Sequence, residues 1–186
     1  MLEKVIALDK ELFVFLNGLG STPFDTFWLI ITQQINWIPF FLTILYLLYK
    51  KIGWKNFLIT VVFIALLILL CDQSANLFKD TVQRLRPCND TEINGIIRIV
   101  EKRSSFSFFS GHAANSMATT MFVFLILRKF YKHTYLLFLF PLIFAYSRIY
   151  LGLHFPLDIL TGYTFGATFG IIFYKSYQYV LSRRAN

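Results

Sequence analysis

Five apolar runs, each bounded by polar or charged residues, dominate this chain and dictate the solvent it can fold in. Thr26 to Tyr49 carries no charge beside its polar ends, and Phe57 to Cys71 carries none. Ser104 to Leu127 carries only His112, His133 to Ser147 is apolar after its first residues, and Ile159 to Tyr174 is uncharged and contains glycines. A helix that crosses the hydrocarbon core needs ~20 mostly apolar residues, and the shorter runs reach that length once their polar ends are counted. A helix also satisfies its own backbone hydrogen bonds, which lipid cannot do. The runs predict an all-α integral membrane bundle of about five transmembrane helices.

Composition points the same way. Of 186 residues, 56% are hydrophobic, only 15% are charged and 22 are Phe, which leaves too little polar surface to cover a water-soluble globule. Mean hydropathy is +0.59. The length suits one domain, residues 1–186. Within it, 1–22 is expected to form an amphipathic interfacial helix and 23–181 the transmembrane bundle. Leu2, Val5, Ile6, Leu12, Phe13 and Leu16 recur at roughly helical spacing with charges between them, so this segment is too polar to span and is expected to lie on the membrane surface. Glu3, Asp9, Lys10 and Glu11 interrupt the apolar core that a secretory signal would need.

The net charge of +8 is unevenly placed. Lys50, Lys51 and Lys55 separate the first two runs. Arg128, Lys129 and Lys132 separate the third and fourth, and Lys175, Arg183 and Arg184 follow the fifth. None of the ten Asp and Glu residues falls among them. Retention of basic loops in the cytoplasm puts these three regions inside, and the N-terminus, the 76–103 region and the 148–158 region outside. No basic stripe on a soluble face suggests a nucleic-acid partner, and no protein partner is evident. Cys71 and Cys88 lack the paired spacing of a zinc site and are read as structural or incidental.

Three polar groups fall on the outward side. The first runs from Lys79 to Arg86-Pro87, with the two cations two helical turns apart and able to share one face. Arg offers a planar fork for phosphate oxygens and Lys a point charge. The second is Ser107-Phe108-Phe109-Ser110-Gly111-His112, where Ser110 suits a helix cap and Gly111 lets a ligand approach the backbone. The first turn of the helix behind it would form an anion site, with His112 beside it. The third runs from Ser147-Arg148 to His154 and Asp158. One helical turn separates the last two, so the carboxylate can meet the imidazole, and Pro156 fits the first turn of the fifth helix. A carboxylate on one ring nitrogen fixes the tautomer and makes the other a better nucleophile. Alone, each group has an ordinary explanation: a headgroup-touching basic segment, an interfacial histidine, a loop-tying ion pair. Together they concentrate ionisable residues at one membrane face of a charge-poor chain, where such residues are costly and default to function.

The three groups resemble the signature of the type 2 phosphatidic acid phosphatase superfamily: K-x6-R-P, then P-S-G-H, then S-R-x5-H-x3-D. Every spacing matches across residues 79–158, with Phe109 standing where the pattern usually has Pro. The resemblance implies a metal-independent phosphatase with no cofactor. By that likeness, His154 attacks phosphorus to form a phosphohistidine, Asp158 orients it, and His112 protonates the leaving oxygen. Lys79, Arg86, Arg148, Ser110 and Gly111 would hold the phosphoryl oxygens. The chain has no Asp/Glu cluster suited to two metal ions. A phosphotransferase is the alternative among enzymes, and a non-catalytic lipid-phosphate binding or transport protein the alternative outside them. Vanadium haloperoxidases share the site but are soluble. Undecaprenyl diphosphate, phosphatidylglycerophosphate, phosphatidate and lipid A phosphates all suit a site at a membrane face. Undecaprenyl diphosphate is placed first, because recycling that carrier needs an outward-facing site. The expected location is a bacterial inner membrane, with the site facing the periplasm or exterior.

Overall fold

The computed structural model describes residues 2–185. They form six helices in the order α1 (Leu2–Gly18), α2 (Asp25–Ile31), α3 (Ile38–Val82), α4 (Gly111–Leu127), α5 (Leu139–Tyr150) and α6 (Pro156–Ala185), joined by loops and 3-10 turns. No strand occurs among the described residues. The protein is an all-α membrane bundle, as its apolar runs require.

Helix α3 is two arms. Gly53 interrupts it at φ 73, a left-handed conformation that glycine adopts without steric cost. The arms fold back on each other, so Ile44 and Leu45 face Ile64 and Ile68 across one cavity, and Leu48 joins Leu67 in one core. Lys51 of this turn, Lys129 of the α4–α5 connection and Leu181 near the end of α6 line a common cavity. The three basic regions therefore gather at one end of the bundle. The second arm carries the chain from Lys55 to Lys79, about 36 Å at helical rise, to the other end. That end holds the three polar groups.

Several boundaries differ from the sequence reading. Thr26 to Tyr49 is not one span. α2 ends at Ile31 and the first long helix begins only at Ile38, with Pro39 in its first turn. Side chains stabilise the break: the Asn36 amide donates to the Ile30 carbonyl at 2.8 Å and the Trp37 indole to the Ile31 carbonyl at 2.9 Å, satisfying groups that a continuing helix would have used. The third run becomes helical at Gly111, not Ser104, because Ser110 caps it by accepting the Ala113 N–H. Thr134–Phe138 is a 3-10 turn leading into α5. α6 begins at Pro156 and runs beyond Tyr174 to Ala185.

α4 lies at the centre and packs chiefly on α6. Gly162, Gly166 and Gly170 make one stripe of α6, seated against Ala113, Ala114 and Ala118 of α4. Small residues let two helix backbones approach closely, which drives association where lipid removes the hydrophobic force. A Cβ at Gly166 would strike the Ala114 carbonyl, which is backbone and cannot turn away. Gly166→Leu should therefore cost about 3 kcal/mol or more. Its detergent melting temperature should fall sharply or monodisperse protein should be lost, whereas Leu160→Ala on the exposed side of α6 should do neither.

α1 docks through a stripe of which the apolar pattern picked out only Phe13. Asp9, Phe13 and Asn17, one turn apart, are its buried residues, while Leu2, Val5, Ile6 and Leu12 are exposed. Asn17 accepts the Arg98 N–H at 2.7 Å and donates toward the Ile149 and Tyr150 carbonyls at 3.0 and 3.1 Å. Helix α1 is thus fastened to the loop and helix that frame the site.

Candidate active site

The helix carrying Lys79 stops at Val82, where Gln83 takes a left-handed conformation. Arg86 therefore lies past the helix, in extended backbone, and does not share a helical face with Lys79 as the spacing suggested. The turn instead buries Arg86. Its Nε donates to the Ser105 carbonyl at 2.7 Å and its Nη1 to the Leu153 carbonyl at 2.9 Å. Nη1 also lies 3.0 Å from His154 Nε2. Lys79 stays close, since a Cβ on Gly111 would stand 4.0 Å from its Nζ.

His154 sits in the loop before α6, so its approach to Asp158 crosses a helix start and is not a turn within a helix. Nδ1 faces Asp158 Oδ2 at 3.5 Å. A guanidinium can only donate, so Nε2 must accept from Arg86, and the single proton of the neutral ring is on Nδ1, toward the carboxylate. Burial, and then the charges of Arg86, Arg148 and Lys79, hold this imidazole well below its ordinary range. The ring is neutral near pH 7, with an unprotonated Nε2 among cations.

Asp158 is fully buried and fully engaged: Oδ2 accepts the Phe155 N–H and Oδ1 accepts Arg84 Nη1, each at 2.9 Å. Its backbone carbonyl accepts the Ser110 N–H at 3.0 Å, which ties the start of α4 to the start of α6. Ser110 then accepts the Ala113 and Ala114 N–H groups, leaving those of Gly111 and His112 without a protein acceptor among the described residues. Two unpaired first-turn donors at a helix N-terminus are an anion site. His112 stacks on Phe144, with ring centroids 5.1 Å apart. It opens, with Thr32, Gln33, Gln34, Glu101 and Arg103, onto a cavity of about 390 Å³. Arg148 is buried and donates to Thr32, while its Nε has no partner among the described residues. Phe109 fills its place by stacking on Phe165 at 4.8 Å and packing on Phe78.

All eight residues singled out from the sequence thus gather at one end of the bundle. The arrangement offers converging donors for a tetrahedral anion beside a neutral imidazole whose unprotonated Nε2 accepts from Arg86. Among the described residues no three His, Cys, Asp or Glu side chains form a group able to hold a metal ion.

The pattern of the PAP2 superfamily matches residues 56–182. The chain belongs to this family. A lipid A 4'-phosphatase of Bacteroides thetaiotaomicron is 38% identical over 178 residues, which is 94% of this chain and 79% of the relative. One of Porphyromonas gingivalis is 32% identical, covering 98% and 78%. An undecaprenyl-diphosphatase of Sulfolobus acidocaldarius is 26% identical, covering 89% and 76%. Two crystal structures share the fold. A PAP2 type phosphatidylglycerolphosphate phosphatase from Bacillus subtilis superposes with TM-score 0.68 at 21% identity, over 91% of this chain and 84% of that one. Aquifex aeolicus LpxE superposes with TM-score 0.66 at 26% identity, over 89% and 93%. The chain is an integral membrane lipid phosphatase, a phosphoric monoester hydrolase.

Sequence reasoning missed Arg84, Asp9 and Thr32. Arg84 lies inside the first polar group but is not one of its signature positions. Asp9 carried a readable signal, because it shares a helical face with Phe13 and Asn17, where a carboxylate must find a partner. Thr32 lies in a run read as featureless span.

Proposed function

We propose that this phosphatase works through a phosphohistidine on His154, without a metal ion, and that its substrate is a phosphate monoester of lipid A. The observation that supports the mechanism best is the placement of His154 between a guanidinium and a carboxylate. Arg86 Nη1 meets the Nε2 lone pair at 3.0 Å and Asp158 faces Nδ1 at 3.5 Å, so a phosphoryl group drawn to Arg86 would take the guanidinium's place at that lone pair. In the first step the bond from Nε2 to phosphorus forms as the bond from phosphorus to the lipid oxygen breaks, and His112 gives that oxygen a proton. In the second step His112 takes a proton from water, the water oxygen bonds phosphorus and His154 is released. Lys79, Arg86 and Arg148, with the Gly111 N–H, spread over the phosphoryl oxygens, which is the charge stabilisation that phosphoryl transfer requires. Ser110 shapes the site as a cap.

Lipid A moves ahead of undecaprenyl diphosphate because the two relatives with the higher identities, aligned over nearly the whole chain, carry the lipid A name. Undecaprenyl diphosphate is the second reading, supported by the Sulfolobus relative. Gathering of the basic regions at the opposite end supports a site facing the periplasm or exterior of a bacterial inner membrane.

Phosphate release from bisphosphorylated lipid A, undecaprenyl diphosphate, phosphatidylglycerophosphate and phosphatidate in detergent tests both parts. Lipid A should give the highest kcat/KM, release should persist in excess EDTA, and vanadate should inhibit by occupying the phosphoryl site. Activity lost in EDTA and restored by Mg²⁺ would refute the mechanism. A higher kcat/KM on undecaprenyl diphosphate would overturn the substrate.

A further inference from the structure

Two carboxylates share one guanidinium behind the site. Arg84 Nη1 donates to Asp158 Oδ1 at 2.9 Å, and Arg84 Nη2 donates to Asp9 Oδ2 at 2.6 Å. Each carboxylate also accepts a backbone N–H at the start of α6: Asp158 from Phe155 at 2.9 Å, Asp9 from Leu157 at 2.8 Å. Arg84 Cζ lies over the Phe155 ring, 3.9 Å from its centroid, a cation–π contact that backs the guanidinium. Both carboxylates are almost completely withdrawn from solvent, and the guanidinium is only slightly exposed. Buried ions persist only when partners answer every one of them.

The sum of charges decides what this cluster does. Asp158 with Arg84 alone would be a neutral pair, and its pull on the His154 N–H would be largely spent on the arginine. Asp9 supplies the second negative charge, so the cluster carries a net charge of minus one, and the Asp158 oxygen facing Nδ1 keeps its basicity. Asp9 comes from α1, outside the stretch matched by the family pattern. We propose that Asp9 and Arg84 are positioning residues for catalysis: α1 inserts Asp9 to offset Arg84, so that Arg84 orients Asp158 without silencing its charge toward His154.

This rests on the reading of His154 as nucleophile, and the test separates the two. Asp9→Asn keeps the shape but leaves the cluster neutral and gives up one acceptor, since a single amide oxygen can take the Leu157 N–H or Arg84 and not both. It should lower kcat by roughly 10- to 100-fold, the size seen when a metal-bound histidine loses its outer partner, with KM little changed. The loss should be as large with nitrophenyl phosphate as with lipid, because the defect lies in the nucleophile and not in the leaving group. Arg84→Gln leaves two buried carboxylates facing one another and should be at least as impaired. The double variant Asp9→Asn with Arg84→Gln restores a single negative charge on Asp158, and its kcat should exceed that of either single variant. A purely structural role gives no such recovery. Lys10→Gln is the control: it removes a tether of α1 to Asp90 and Glu92, 2.7 Å to each, without touching the cluster. It should lower the melting temperature and leave kcat unchanged. Full kcat in Asp9→Asn, or a double variant no better than the singles while as well folded as Lys10→Gln, overturns the inference. If His154→Ala itself retains turnover, the mechanism fails instead.

Discussion

His154→Ala should lose turnover by about 10⁴-fold or more while still binding substrate, the pattern of a missing nucleophile. Apart from the contact of Arg86 Nη1 with Nε2, the groups proposed to hold the anion keep their partners without the imidazole. Arg86 keeps its bonds to the Ser105 and Leu153 carbonyls, Lys79 stays beside Gly111, and Arg148 stays tied to Thr32. The binding cost should therefore be small, and vanadate should still compete for the site. What disappears is the atom proposed to take the phosphoryl group. Acid-quench experiments with labelled substrate should trap an acid-labile phosphoenzyme in the wild type and none in His154→Ala. Asp158→Asn should fall between, because an Asn oxygen can still accept the Phe155 N–H while the charge facing Nδ1 is gone. A trapped intermediate that survives in His154→Ala would move the nucleophile elsewhere.

The sequence made the solvent, the helix class and all eight gathered residues legible, for distinct physical reasons. Hydropathy reports burial in lipid directly, so the bundle could be read from its five apolar runs. The site could be read because charge is scarce in such a chain, so each cation or histidine at membrane depth stands out. What stayed hidden was set by side chains acting across the fold. The break after Ile31 depends on Asn36 and Trp37 turning back onto α2 carbonyls, which hydropathy does not register. The left-handed Gln83 ends α3 early and swings Arg86 off the helix and onto His154. Asp9 looked like an ordinary charge on an amphipathic helix, because its partner Arg84 is far along the chain. The apolar face of α1 pointed attention to the exposed side, while the few polar atoms on its other face make the specific contacts.

His112→Ala should separate the two chemical steps. His112 stands at the N-terminus of α4, stacked on Phe144, with no carboxylate in ion-pairing distance among the described residues. No carboxylate of the described residues faces its ring as Asp158 faces His154, and it opens onto a cavity of about 390 Å³ with room for a leaving group. A general acid contributes on the order of 10²–10⁴ when the leaving group is poor. An alkoxide or sugar oxyanion is such a group, so His112→Ala should slow phosphate release from a lipid monoester by about that factor. Nitrophenolate departs without a proton. With nitrophenyl phosphate the variant should therefore show a burst of nitrophenolate stoichiometric with enzyme, followed by slow turnover, because the second step still needs His112 to take a proton from water. Phosphate should accumulate on His154 during that slow phase and appear in the acid quench. Stopped-flow absorbance gives the burst and the quench gives its covalent counterpart. A His112→Ala enzyme that shows neither burst nor trapped phosphate, beside a His154→Ala enzyme that shows both, would reverse the roles of the two histidines.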